Sequence, residues 1–239
     1  MKITKTALAL TGFLLMIGAI SVVEAGIKTH GEVLGVGTDA LLGGDLTDPE
    51  DDGLPDEDTN YNAKFTASDE PAFGGGESAF NVFDNLLGGG NDKWCCGPGG
   101  IAEGEVISVT AEFEEAYVLS HFTVSSANDV PGRDPIKWEI HGSNDGENFT
   151  PIYSRDGENL FTERLQVILF EAGKVDGFDV QTTGYKFFRF VTMKTENWPD
   201  GAYFQLGELE YFGTKVADAT AVDPKSKLTT TWGSLKTQR

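Results

Sequence analysis

The chain has 239 residues, with 38 Asp and Glu against 18 Lys and Arg, a formal net charge of −20. That acidity excludes nucleic acid or an anionic lipid surface as the main partner, since both need a basic patch. Two cysteines exclude a disulfide-rich scaffold or a cysteine zinc cluster, while thirty glycines and sixteen phenylalanines favour short strands and turns over long helices.

In chain order, Lys2 and Lys5 precede an apolar run from Ala7 to Val23, and Val23-Glu24-Ala25 offers small residues where a signal peptidase reads. This predicts a leader over 1–25, cleaved after Ala25, and an exported protein, extracellular or periplasmic. No later stretch is long and apolar enough to span a bilayer as a helix. Residues 26–60 are poor in aromatics and rich in Gly and Asp, and 214–239 form a basic tail. Both flanks are expected to lie outside the core.

Residues 61–213 read as strands. Ile107, Val109, Ala111 and Phe113 alternate on one face, as do Phe122 and Val124, and Ile136, Trp138 and Ile140. The runs Tyr185–Met193 and Phe204–Phe212 complete the set. Alternation at period two means strands that bury one side, so two sheets packed face to face are the natural solution. Gly142-Ser-Asn-Asp-Gly146 predicts a hairpin turn, because Asn, Asp and Gly accept positive φ. Trp138, with alternating apolar neighbours, is assigned to the core, and Arg164 and Arg189 to bonded scaffold.

Other residues carry two readings. Cys95 and Cys96 could close a strained vicinal disulfide, stay as two buried thiols, or pair between chains. If closed, the ring would make a stiff plate beside Trp94, fit to stack on a sugar. Arg133, in Arg-Asp-Pro, is a ligand contact through paired hydroxyls or part of a loop clamp in which Asp134 pairs or caps. Trp198, in Asn-Trp-Pro-Asp-Gly, is a sugar platform on a loop or a lid on the sandwich end. Gly-x-Ser-x-Gly, His-Glu-x-x-His and a phosphate loop are all missing, and His30, His121 and His141 have no zinc spacing.

Several segments match a known family: Ala79-Phe-Asn-Val-Phe-Asp84, Lys93-Trp-Cys-Cys96, Ser125–Pro135, Trp138–Gly146, Tyr185-Lys-Phe-Phe-Arg189 and Gln205-Leu-Gly-Glu-Leu-Glu210. Together, over about 61–213, they resemble the discoidin (coagulation factor V/VIII type C) domain, and within it the bacterial family 32 carbohydrate-binding modules. The resemblance implies an all-β antiparallel jelly-roll sandwich of the galactose-binding-like kind. It also implies a structural Ca2+, with Asp84 and Glu208 at the matching positions. Asn85 stands where the family has Gly, and Leu86-Leu-Gly-Gly-Gly90 lengthens the loop, so either Asn91 and Asp92 supply further oxygens or the site is lost and this is a Gly-rich loop with solvated acids. A second acidic run, Asp48, Glu50, Asp52 and Asp56 around Gly53, resembles the calcium loops of thrombospondin type 3 repeats, or is an acidic linker.

The expected function is a secreted, non-catalytic module that binds glycan through loops at one end of a calcium-stabilised jelly roll, with Trp198, Arg133 and Trp94 as contacts. The alternative is a structural or adhesion protein of the envelope or matrix that holds a protein partner.

Overall fold

The computed structural model describes residues 30–70, 76–95, 106–197 and 203–216. Ten strands appear among them: β1 (Glu32–Val36), β2 (Ala63–Ala67), β3 (Trp94–Cys95), β4 (Ile107–Ser125), β5 (Pro135–Ser143), β6 (Thr150–Asp156), β7 (Gln166–Glu171), β8 (Tyr185–Thr195), β9 (Gln205–Leu206) and β10 (Leu209–Lys215). The described helical pieces are single 3-10 turns, in keeping with the missing 3.6-residue period.

All pairings are antiparallel, and β4 organises them. Its first half pairs with β2 and β8, its second half with β7 and β10, and the register with β8 breaks between Glu112 and Tyr117. One strand therefore serves two layers. The first holds β2, β4, β8, β5 and β6; the second holds β1, β7, β4 and β10. Their inner faces meet in an aromatic core. Trp138 from β5 lies edge-on to Phe122 of β4 and Phe170 of β7, and Phe188 of β8 packs at 5.5 Å on Tyr211 of β10. The alternating residues named above fill this core: Ile107, Val109, Ala111, Phe113, Phe122, Val124, Trp138 and Ile140 are all buried. Aromatic pairs at offset or edge geometry add to the area they remove from water.

The β5–β6 hairpin closes where Asn-Asp-Gly was read as a turn. Asp145 Oδ1 accepts the amides of Glu147 and Asn148, Ser143 Oγ accepts that of Gly146, and Gly146 takes φ +73°. The expectation that residues 26–60 lie outside the core needs correcting. Residues 32–36 form β1, an edge strand on β7, and Leu46 packs against the core while Asp45, Thr47 and Asp48 are buried. The segment docks by backbone pairing and carboxylates rather than by large apolar side chains, so hydropathy does not reveal it. Gly31 is forced by this docking: at φ +75°, a Cβ would stand 2.7 Å from the Leu169 carbonyl oxygen.

Candidate functional site

Two constellations stand out. The first is a set of loops locked together beside the short β3–β9 pair. The 3-10 turn Pro131–Arg133 is held by the Asn197 amide, which donates to Gly132 O, and by Gln205 Nε2, which donates to Val130 O. Gly132 is buried, and a Cβ there would collide with the Asn197 side chain, so the two loops touch through a glycine. Behind the turn, Asp134 is fully buried. It receives a forked pair of bonds from Arg164 and further bonds from Asn159 Nδ2 and Gln205 Nε2. A bidentate Arg–carboxylate pair with its remaining lone pairs filled is the geometry in which a buried charge is tolerated.

On the outer side of the turn, the half-buried Arg133 guanidinium lies 5.6 Å from the centre of the Tyr203 ring, and its Nη1 donates to Cys95 Sγ. Cys95 is buried and disulfide-bonded; Cys96, its expected partner, lies outside the described residues. Lys93 adds a second clamp. Its buried ammonium reaches Glu77 at 3.4 Å and Asp129 at 2.9 Å and donates to Asn128 Oδ1. Burial works to raise the Asp129 carboxyl, but the bond and charge of Lys93 outweigh it and hold the group below the usual carboxylate range.

The second constellation is acidic and lies where residues 42–62 meet the sandwich. Glu210 is buried and satisfied: it accepts the amides of Leu42 and Gly43 and the hydroxyl of Thr123. Asp45 Oδ1 accepts the amides of Thr47 and Asp48 and the Thr47 hydroxyl, while its Oδ2 is buried without a partner. Asp84 Oδ1 accepts the Leu86 amide, and Asp84 Oδ2 and Glu208 Oε2 are likewise buried without partners. Asn85 links the parts. Its amide donates to Glu208 Oε1, its side-chain Nδ2 donates to Asp48 Oδ2, and it sits at φ +59°. Asn is among the few residues that tolerate that left-handed conformation, so it fills a position where Gly was expected.

These carboxyls are strongly perturbed. Burial pushes Asp45 up to about 7 against the pull of the Thr47 bonds, with the charge of Glu210 adding to the rise. Burial also pushes Asp84 to about 7, opposed by the Leu86 amide and reinforced by Asp56 and Asp92. Burial, then the charges of Asp84, Glu210 and Asp45, drive Glu208 well above its ordinary value. An unpartnered buried carboxylate oxygen is the donor type that a hard cation takes. Among the described residues no three His, Cys, Asp or Glu side chains form a ready cage, so carbonyls or water would complete any coordination sphere.

The structure sorts the remaining expected residues. Trp94 requires a correction as a ligand contact: its ring is fully buried, edge-on to Phe204 at 4.7 Å, because β3 pairs with β9 and turns the indole inward. Trp198 lies outside the described residues, next to Asn197. Asp84 and Glu208 are brought together through Asn85. Asp92 is half-buried and raised first by burial and then by the charge of Asp56, whereas Asn91 is exposed and its carbonyl accepts the Asn81 side chain. The second set does not face one centre. Asp48 is buried and caps the amides of Asp52 and Gly53; Glu50 is exposed; Asp52 accepts from Asn60; and Asp56 is exposed. The sequence reading missed Asp45, Glu210, Lys93 and Tyr203. Only Asp45-Leu-Thr-Asp48 carries a local signal, a carboxylate two and three residues before the amides it caps.

No family model matches the chain. A peptide-N(4)-(N-acetyl-beta-glucosaminyl)asparagine amidase of Arabidopsis thaliana is 27% identical over 102 residues, 42% of this chain but 13% of that protein. The chain thus spans a small part of the curated relative it matches. Among solved structures, a fragment of a putative chitobiase from Bacteroides thetaiotaomicron aligns with a TM-score of 0.50 at 16% identity, covering 65% of this chain and 91% of that one. The module CBM32-5 from Clostridium perfringens, solved in complex with GalNAc-beta-1,3-galactose, aligns at 0.48 and 22% identity, covering 64% and 96%. At such identities the likeness is one of fold, that of an antiparallel β-sandwich.

Proposed function

We propose that the protein is a secreted, non-catalytic module that binds glycan at the loop cluster around Arg133. The observation that carries this reading is the Arg133–Tyr203–Cys95 group, a guanidinium beside an aromatic face on a base made rigid by the buried Asp134–Arg164 pair. Sugar sites combine an apolar face with a few fixed polar groups, and a forked guanidinium suits adjacent hydroxyls. Trp198, one residue beyond Asn197, is proposed to add a second flat face. Cys95 and Cys96 are proposed to form the vicinal disulfide that stiffens the base.

Calcium belongs to the same proposal as a structural ion. Asp84 Oδ2 and Glu208 Oε2 would hold it, with turn carbonyls supplying the remaining oxygens. Its role is to neutralise buried like charges where β9 runs into β10.

A glycan array on the intact protein, with Arg133→Ala and Trp198→Ala variants, tests the reading. Binding by the wild type that both variants lose, with melting curves preserved, is the expected result. A protein that captures no glycan but adheres to a purified matrix protein would favour the adhesion alternative instead.

A further inference from the structure

The loop cluster around Arg133 holds a carboxylate that the glycan site has not yet used. Asp129 stands just before the turn that ends in Arg133. The Arg133 amide donates to Val130 O at 3.1 Å, so Asp129 and Arg133 flank one tight loop, with the exposed Val130 and Pro131 between them. One short segment holds both flanks. Lys93 Nζ meets Asp129 Oδ2 at 2.9 Å, and Cys95, two residues on, accepts from Arg133 Nη1. Trp94 between them turns inward onto Phe204. Two residues of chain span at most about 7 Å, so the contacts to Asp129 and to Arg133 lie side by side. An ammonium has three N–H donors, and Lys93 has three oxygens to meet them, on Asn128, Asp129 and Glu77. Two carboxylates thus share one buried ammonium, which leaves one negative charge in surplus. The Glu77 side chain is 19% exposed and that of Asp129 45%, so the surplus faces water at Asp129.

We propose that Asp129 is the hydrogen-bond acceptor of the Arg133 glycan site and that it selects uncharged sugars over acidic ones. The inference rests on the glycan reading given above and deepens it to a class of ligand. A guanidinium alone would favour a sugar that carries a carboxylate, a uronate or a sialate, because it holds that group with two parallel bonds. A fixed carboxylate at the other end of the same loop reverses the preference. It repels an acid, and it accepts the protons of hydroxyls, which Arg133 cannot do because a guanidinium only donates. A hydroxyl both donates and accepts, so neighbouring hydroxyls of a neutral sugar can satisfy Asp129 and Arg133 together. Lys93 keeps Asp129 in this role. Burial opposes the charged form, but the bond and charge of Lys93 hold the carboxyl below its ordinary range, so it is ionised at neutral pH. The exposed Val130 adds apolar surface between the acceptor and the donor.

The test is an array of paired glycans on the full-length protein, as wild type, Asp129→Asn and Arg133→Ala. Galactose-, glucose- and N-acetylglucosamine-terminated glycans form the neutral set. Galacturonate-, glucuronate- and sialate-terminated glycans form the acidic one. We expect the wild type to bind from the neutral set and not from the acidic one, a result that needs no variant. Asp129→Asn should weaken the neutral binding about tenfold or more, because a charged acceptor is lost, and should narrow the gap between the two sets. Arg133→Ala should lose binding altogether. A wild type that prefers the acidic set and loses it in Arg133→Ala overturns the role of Asp129 and leaves the Arg133 site standing. Undiminished neutral binding in Asp129→Asn has the same meaning. A wild type that binds neither set overturns both.

Discussion

Asp134 shows how one buried charge sets the shape of a loop cluster. Its carboxylate is fully buried and saturated by Arg164, Asn159 and Gln205, three residues from three separate segments. The neighbouring Arg133 takes its position from the same turn, so the acid positions the base without touching it. The two charged residues of the Arg-Asp-Pro motif thus have separate tasks, one as clamp and one turned toward Tyr203 and Cys95. Asp134→Asn would leave the Arg164 guanidinium half paired in a largely dry setting, a change that costs about 3–5 kcal/mol in comparable buried pairs. Denaturant melts should show that loss, whereas Arg133→Ala should melt within about 0.5 kcal/mol of wild type, as surface changes do. Similar stability of the two variants would mean that the clamp has been assigned to the wrong residue.

At the scale of elements, the β5–β6 hairpin depends on Asp145. The bond from the Asn148 side chain, then the amides of Asn148 and Glu147 and the Ser143 hydroxyl, hold its carboxyl well below the usual carboxylate range. A group whose folded value is depressed contributes stability above its unfolded value, and that stability disappears as pH falls through the folded one. Asp145→Asn should therefore lower the melting temperature at pH 7. The gap to wild type should narrow as pH drops below about 4, the unfolded value for Asp. A gap that stays constant down to pH 2 would show that the loop does not depend on the charge. This turn was legible in the sequence because its chemistry is local: Asn, Asp and Gly in a row can do little else. The strand faces of β4, β5 and β8 were legible for the same reason, since period-two alternation is written residue by residue. β1 was not. Its Val33 and Val36 face solvent at the sheet edge, Gly35 interrupts it at a register shift, and its hold on β7 is made by backbone groups that every sequence possesses. Trp94 misled for a related reason: whether an indole beside a loop faces in or out depends on the partner strand, here β9, more than a hundred residues away.

For the whole molecule, the proposed calcium ion would act at the acidic contact between the N-terminal segment and the sandwich. The chain carries −20 overall, and several of its acids are buried at this one contact without a matching cation among the described side chains. Without an ion, Glu208 is a cost: desolvation and the charges of Asp84, Glu210 and Asp45 all oppose its ionised form. In the proposed calcium-bound form, the Asp84 and Glu208 oxygens become ligands instead. Two effects of opposite sign therefore follow from one substitution. In chelator, Glu208→Gln should be at least as stable as wild type, because a neutral amide of nearly equal shape replaces a buried uncompensated charge. In excess calcium, wild type should gain RT ln(1 + [L]/Kd), ~2.7 kcal/mol at a hundredfold excess over Kd, and the variant should gain nothing. The two melting curves should cross between chelator and millimolar calcium. Curves that run parallel, with Glu208→Gln lower by the same amount in both conditions, would show that Glu208 is held by the protein alone and that no ion works at this contact.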